Sequence, residues 1–475
     1  MIPVVTPEEM RVIDSAAPES LEELIRRAGA AVARHAIDLL GGTYGRVVNV
    51  IAGAGNNGAD GVEAAGRLRA RGVTVRIFDA AAFGTPGHEL PAADLVIDAA
   101  YGTGYRFDPS RPWVAPGVGD APVLAVDVPS GLDALTGEAV PGVLAATRTV
   151  TFQALKPGLL FGSGPALAGQ VEVVDIGLST EHIACHLVEA DDVAAWWPSR
   201  RADAHKWHGA VKVVAGSDAM PGAAELCTAA AARGGSGLVS LSAPGCRPNT
   251  RSEIVQTPIG VADFARTALA DIGRFGALVI GPGLGRLDAT LLAARECIAD
   301  ASVPVVVDGD AIFAAAWSAE GPAPLLRGRE LPTVLTPHDG EFGTLTGHRP
   351  GTDRIGSVRN AAAELDAHVL LKGPTTIVAA PPTGVVDPHN ELTWASDAAP
   401  RVLLVNRGDE RLATAGSGDV LAGVIGAALA ADVDPLLGAA AGAWIHGAAA
   451  DFGPETGLLA GDLVELLPET IGALR

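Results

Sequence analysis

The stretch "GAGNNGADG" at residues 53–61 follows directly on the apolar run "RVVNVIA" at 46–52, and this junction decides how the first half of the chain folds. A β-branched run, a glycine-rich turn and then the helical pattern "ADGVEAAGRLRARG" predict a strand, a tight turn and a helix, one unit of a parallel α/β sheet. Gly53, Gly55 and Gly58 have the G-x-G-x-x-G spacing of a turn that holds a dinucleotide over a helix N-terminus. That spacing accounts for neither Asn56 and Asn57 nor Asp60.

Outward from the turn the alternation continues. The segment "LEELIRRAGAAVARHAIDLL" upstream has the three-and-four spacing of a helix packed on a sheet, and "VTVRIFD", "DLVIDAAYG", "PVLAVDVPSG", "TRTVTFQ" and "VEVVDIG" follow as strand-like runs. The pattern breaks at "VEADDVAAWWPSRRADAHKWHG", which places a domain boundary near residue 198 and divides the chain into 1–198 and 199–475. A second α/β series then runs from "AVKVVAGS" through "ALVIGPGLG", "VPVVVDGD", "PTVLTPHDGEF" and "HVLLKGPTTIVAAP". It ends in "GSGDVLAGVIGAALAA" and "DPLLGAAAGAWIHGAAADF", apolar all round and expected to be buried helices.

The chain has 475 residues, 48% of them hydrophobic, enough for two sizeable cores. A net charge of −21, from 34 Lys plus Arg against 55 Asp plus Glu, argues against a nucleic-acid partner or an anionic membrane. A small phosphorylated ligand is compatible with that charge, because backbone N–H groups can hold phosphate locally. The four cysteines lack metal-ligand or disulfide spacing and read as buried thiols. With no basic, apolar leader and no apolar run of spanning length, the expectation is a cytoplasmic protein.

The chemistry of the second half centres on "TAGSGDVLAG", residues 414–423. Gly416 and Gly418 allow a tight turn into a helix whose free N–H groups suit a phosphate, and Asp419 stands at the edge of that anion hole. A general base for a hydroxyl attacking phosphorus belongs there; the alternative is a plain helix cap. In "LLKGPTTIV", Lys372, Thr375 and Thr376 lie where they could hold a nucleotide's phosphates, and "GPGLG" and "TPHDGEF" add strand-end turns.

These motifs, in this order over residues 205–475, resemble the ADP-dependent NAD(P)H-hydrate dehydratases, relatives of ribokinase. The resemblance implies a ribokinase-like α/β/α domain with Asp419 as base. It implies Lys372, Gly373, Pro374, Thr375, Thr376 and Gly418 as nucleotide contacts, and Ala223, Gly285, His338 and Asp419 as contacts to the hydrated nicotinamide nucleotide. ADP would be the co-substrate, with Mg2+ at the site.

Residues 1 to about 200 resemble the NAD(P)H-hydrate epimerases through "GAGNNGADG", "DAAYGTG", "AVDVPSGLD" and "TVTFQALKPGLL", which implies a Rossmann-like three-layer α/β domain. Asn57, Asp98 and Ser130 offer hard oxygens with little charge, a set that suits a large monovalent cation better than zinc, and the resemblance implies K+. Gly102, Thr103 and Gly104 form a second turn whose N–H groups could hold a pyrophosphate. Asp127, at the end of a buried strand, is the chosen proton acceptor, with a pKa raised by burial unless a cation opposes it. Lys156 is its paired acid or an anchor for substrate charge, or else a surface residue before a Pro turn. Asn56, Asn57, Gly58, Ala59, Asp60, Tyr105 and Arg106 complete the substrate contacts that the resemblance implies, Asp60 being either such a contact or the cap of a helix starting near Gly61.

One departure from the epimerase pattern is Ala59, where a second glycine is usual. Either the loop accepts an Ala conformation there or activity is reduced. The expected substrates are the hydrates of NADH and NADPH, handled by a homo-oligomer. A ribokinase-type small-molecule kinase with a non-catalytic Rossmann-like partner domain is the rival reading. An NAD-dependent dehydrogenase has only Asp79 to offer for a ribose contact.

Overall fold

The computed structural model describes residues 1–83, 85–106, 113–200, 202–382 and 401–475, which form two compact units, Ile2–Ile183 and Ala184–Arg475. In the first unit six parallel strands run in the order Thr74–Asp79, Val47–Ala52, Leu95–Ala99, Val123–Val126, Arg148–Phe152 and Gln170–Val174. The chain reverses its direction of travel across the sheet between Val47–Ala52 and Leu95–Ala99, and a crevice opens at the C-terminal ends of strands at such a point. Successive residues serve opposite faces: Val50 and Ile97 pack in the cluster under the helices Leu21–Leu40 and Asn56–Arg69. Ile51 and Val96 face Phe83, Tyr105 and Trp113 from connecting segments.

The glycines of the opening stretch are required by close approach. A Cβ on Gly53 would sit 1.9 Å from the Ala100 carbonyl oxygen, and one on Gly58 would sit 1.8 Å from that of Gly53. The helix begins at Asn56, so Ala59 lies within its first turns, its N–H donating to the Gly55 carbonyl at 3.1 Å, and carries no positive φ. Of the two alternatives for Ala59, an Ala-compatible loop or reduced activity, the backbone supports the first. Asp60 is likewise inside the helix and does not cap it.

The second unit begins earlier than the break at residue 198 suggests. Cys185–Leu187 pairs in parallel with Val402–Val405, so a segment read as part of the first domain is a strand of the second sheet. From there the order is Thr376–Ala379, His368–Leu371, Thr333–Leu335, Val305–Val307, Ala277–Ile280, Val211–Val214, Val239–Ser242 and Val255–Gln256. Thr376–Ala379 is antiparallel to both its neighbours, which makes "KGPTT" a hairpin turn, and the remaining pairs are parallel. The Ala/Gly-rich helices Ser417–Ala430 and Pro435–Ala449 are buried along nearly their whole length. Gly423 lets the first of them press on Pro221–Arg233, since a Cβ there would meet the Cys227 carbonyl oxygen at 2.2 Å. Cys185, Cys227 and Cys297 are buried free thiols, while Cys246 is only half-buried. Among the described residues no helix is long and apolar enough to cross a membrane.

Candidate active sites

In the first unit a cavity of about 590 Å³ lies at the reversal point, lined by Gly53–Asn57, Asp60, Ala100–Arg106, Asp127 and Lys156 among others. Asp127 follows the strand Val123–Val126 with φ +67, a left-handed conformation that costs a non-glycine residue about 1 kcal/mol or more. The Asp127 N–H still donates to the Val150 carbonyl at 2.7 Å, so the twist redirects the side chain without breaking the ladder. Its carboxylate lies 2.7 Å from the Lys156 ammonium and accepts from the Thr103 N–H and the Thr151 hydroxyl, both at 3.1 Å. Burial acts to raise its pKa, but Lys156, Thr103 and Thr151 outweigh burial and hold it below the usual carboxylate range. The cation that opposes the burial shift is therefore Lys156.

Lys156 is 1% exposed, which excludes the surface reading. Its ammonium also donates to Thr151 Oγ1 at 2.9 Å and to the carbonyls of Phe152 and Ala154 at 3.0 and 3.2 Å, so all its protons are committed. This geometry makes it the fixed counter-charge of Asp127. Asp60 contrasts with Asp127: it is buried, and burial first, then the Asp127 and Asp14 carboxylates, push it up to about 8. Asp14, from the helix Pro7–Ala16, also lines the cavity and belongs to no motif that the sequence made conspicuous.

Asp98 and Ser130 meet directly: the Ser130 N–H and hydroxyl donate to the two Asp98 oxygens at 2.9 and 2.6 Å. Asp98 is buried, its pKa is raised by burial against those hydrogen bonds, and no ion pair reaches it among the described residues. Asn57 stands instead with Gly102 and Asp127. A Cβ on Gly102 would be 2.9 Å from Asp127 Oδ2 and 3.1 Å from Asn57 Oδ1, so only glycine passes between them. Asn57 Nδ2 and Tyr105 Oη are buried with no hydrogen-bond partner among the described residues, as expected of groups that await a ligand. The 102–104 turn is less free than its sequence suggests, because the Thr103 N–H is committed to Asp127. Arg106 donates to the Thr103 and Tyr105 carbonyls and braces that turn.

In the second unit Gly416 adopts φ +90 and is the N-cap of the helix Ser417–Ala430, which places Asp419 in the first turn and not at the cap position. Lys372 lies beside it: a Cβ on Gly418 would be 3.4 Å from Lys372 Nζ. That ammonium donates to Asp308 at 3.0 Å and lies 3.6 Å from Glu341, while the Thr336 hydroxyl donates to Asp308 at 2.6 Å. Burial acts to lower the pKa of Lys372, but Asp308 and Glu341 raise it. With one ammonium shared among several acids, Asp419 is under-compensated. Burial, then Asp308, push it up to about 7 against the pull of Lys372.

His338 caps the helix Asp339–Thr346 through Nδ1, which accepts the Gly340 and Glu341 N–H groups at 2.9 and 3.2 Å, while Nε2 of its exposed ring lies 3.6 Å from Glu341 Oε1. Gly285, at φ +78, donates its N–H to Asp310 at 2.8 Å. Ala223 stands opposite Gly283 in the same turn, where an added Cβ would come within 2.7 Å of it. Thr375 is buried, and Gly373 lies near Arg354, whose guanidinium pairs with Asp339 at 2.7 Å. Arg354 and Asp308 were not anticipated. Asp308 follows a buried strand in "VVVDGD", as Asp127 does in its own, and the same reasoning would have found it.

The first unit thus carries a polar cavity of acids about one lysine and the second a cluster of acids about one lysine, and the whole is a two-site α/β enzyme. The comparisons with known proteins agree. The family described as NAD(P)H-hydrate dehydratase matches residues 211–471, and the YjeF-related protein N-terminus matches 21–86 and 81–158. The bifunctional NAD(P)H-hydrate repair enzyme Nnr of Mycobacterium tuberculosis H37Rv is 38% identical, covering 86% of this chain and 84% of its own. The enzymes of the same description from Moorella thermoacetica and Escherichia coli K12 are 33% and 30% identical, covering 90% and 95% of this chain and 88% and 90% of theirs. A solved ADP/ATP-dependent NAD(P)H-hydrate dehydratase from Bacillus subtilis is 28% identical over 60% of this chain and 98% of its own, with a TM-score of 0.49. The chain belongs to the bifunctional NAD(P)H-hydrate repair enzyme family.

Proposed function

We propose that the first unit interconverts the R and S forms of hydrated NADH and NADPH, and that the second dehydrates the S form at the expense of ADP. The observation that carries this reading is Asp419: a carboxyl at a helix N-terminus beside a lysine, held near a pKa of about 7 where a base for a hydroxyl proton is most effective. Asp419 takes the proton of the substrate hydroxyl as its oxygen attacks the terminal phosphorus of ADP and the bond to AMP breaks. Phosphate then leaves with the carbon–oxygen bond, and loss of a ring proton restores the double bond of the reduced cofactor. Lys372, Gly373, Pro374, Thr375, Thr376 and Gly418 hold the nucleotide, and Ala223, Gly285 and His338 hold the hydrated ring's nucleotide. Among the described residues no three His, Cys, Asp or Glu side chains are set for a metal ion, and we place Mg2+ on the ADP phosphates, where it offsets their charge.

In the first unit the hydrated carbon adjoins the ring nitrogen, since water adds to an enamine double bond there. The carbon–oxygen bond breaks with help from the nitrogen lone pair, and water returns to the other face. Asp60, protonated at neutral pH, supplies the proton to the departing hydroxyl; Asp127, held ionised by Lys156, takes one from the water that adds. The excess of carboxylate over ammonium favours the cationic ring in between. Asn56, Asn57, Gly58, Ala59 and the 102–106 turn line the substrate's path. A monovalent cation such as K+ would fit against Asp98, a buried carboxylate that lacks a counter-charge, with Ser130 as a neutral oxygen donor, and would supply that counter-charge; Asn57, which stands with Gly102 and Asp127, would have to turn toward the pair to join it.

The test supplies a mixture of R and S hydrated NADH with ADP and follows the absorbance of reduced nicotinamide. Complete recovery is expected, stalling at the S fraction would remove the epimerase assignment, and no recovery with ADP or ATP would overturn the whole reading.

A further inference from the structure

The cavity of the first unit touches a carboxylate that neither half-reaction uses. Asp79 ends the strand Thr74–Asp79 and lines the cavity together with Ala80 and Ala81. In the sheet it is the register partner of Ala52, the residue that leads into the Gly53–Gly58 turn. Asp127 follows a strand three places along the same sheet. At roughly 4.8 Å per strand the two carboxylates are roughly 14 Å apart across the strand ends, with the glycine turn and the N-terminus of the Asn56 helix between them. That is the layout of an extended dinucleotide: reacting ring at Asp127, pyrophosphate over the helix start, adenosine ribose at Asp79.

We infer that Asp79 reads the adenosine ribose and makes this site select the hydrate of NADH over that of NADPH. One Asp79 oxygen is occupied by the Ala81 N–H at 2.9 Å, which fixes the side chain and leaves the other to accept from a 2′-hydroxyl. A 2′-phosphate in the same place would bring its charge against the carboxylate. The basic residues that line the cavity are engaged elsewhere: Lys156 with Asp127, Arg106 with the Thr103 and Tyr105 carbonyls, Arg11 with Glu8. Arg76 points to the opposite face of the strand from Asp79 and donates to the Ala92 carbonyl.

This inference rests on the epimerase reading of the first unit. The experiment uses the full chain without ADP, so that dehydration cannot run, and follows R-to-S conversion of each hydrate by chromatography. The wild type should favour the NADH hydrate by roughly tenfold or more in kcat/KM, the scale of a carboxylate–phosphate repulsion at a protein surface. Asp79→Asn keeps an oxygen for the Ala81 N–H and removes the charge; its ratio should fall toward unity through KM for the NADPH hydrate, with kcat little changed. Asp120→Asn, an exposed acid outside the cavity lining, should leave the ratio as it was and controls for net charge. Equal handling of both hydrates by the wild type, or an unchanged ratio in Asp79→Asn, would overturn the inference while the epimerase assignment stands. No conversion of either hydrate by the wild type would overturn both.

Discussion

Replacing Asp419 by Asn should abolish dehydration and at the same time stabilise the second unit, by an amount that depends on pH in a fixed direction. In the folded chain burial and the neighbouring acids raise this carboxyl from 3.8 to about 7. The folded state therefore holds the proton more tightly than the unfolded state does. Below pH about 4 both states are protonated and the carboxyl costs nothing; as pH rises toward 7 only the unfolded chain gives up its proton readily, and stability falls. Above 7 the cost is complete, about three pKa units or about 4 kcal/mol, against somewhat under about 2 kcal/mol at pH 5.

Asn has the same shape and no titration, so it escapes this cost. Urea unfolding of the full chain at pH 5 and pH 8 checks the difference. Trp196, Trp197, Trp207, Trp317 and Trp444 lie in the second unit and Trp113 in the first, so fluorescence reports chiefly on the unit under test. The gain in midpoint should be clearly larger at pH 8, by the equivalent of about 2 kcal/mol. An equal gain at both pH values, or a loss at pH 8, would refute the claim that Asp419 is held in an unfavourable charge environment. Chromatography of the same variant should show R and S hydrates still interconverting.

Lys156→Met should remove epimerisation and lower the stability of the first unit by about 3–5 kcal/mol, since Asp127 is left buried without its partner; dehydration of pure S hydrate, assayed in parallel, should persist. Ala59→Gly should cost up to about 1 kcal/mol, the penalty of glycine within a helix, and leave the epimerisation rate unchanged; a several-fold faster variant would show that Ala59 is strained after all. Dehydration of S hydrate at saturating ADP should rise about tenfold between pH 6 and pH 8, because a base with pKa of about 7 is roughly a tenth ionised at the first and nine tenths at the second. A flat profile would mean that Asp419 titrates like an ordinary carboxylate.

The parts of this architecture that were legible in sequence are those where one local feature has one physical meaning. Alternating β-branched runs and helices imposed parallel sheets, and glycines behind such runs marked turns where a Cβ would strike a neighbouring carbonyl, as at Gly53 and Gly58. The charge states were not legible. Nothing near Asp127 in sequence reveals that Lys156 will lie 2.7 Å away, because a left-handed φ at one and a buried turn at the other bring them together. Arg354 was missed for the same reason, since its partner Asp339 lies 15 residues away; Asp308 was within reach as a strand-end acid, but its pairing with Lys372, 64 residues off, was not. The strand Cys185–Leu187 was hidden by the charged stretch that follows it, since a strand of three residues carries too little pattern to compete.

The two sites handle a buried aspartate in opposite ways, and this determines when they can work together. Asp127 has Lys156 committed to it and stays ionised as pH falls, whereas Asp419 shares Lys372 with Asp308 and Glu341 and gains a proton near pH 7. Asp60 imposes the complementary limit, since the acid that protonates the departing hydroxyl is lost above about 8. Acidification therefore stops dehydration while interconversion continues, and the hydrate stays equilibrated but unrepaired. Strong base does the reverse: S hydrate is consumed and R hydrate accumulates behind it. An ionised Asp419 and a protonated Asp60 coexist in quantity only around neutral pH, so full conversion of a mixed hydrate should be greatest there, an optimum that neither site would define by itself.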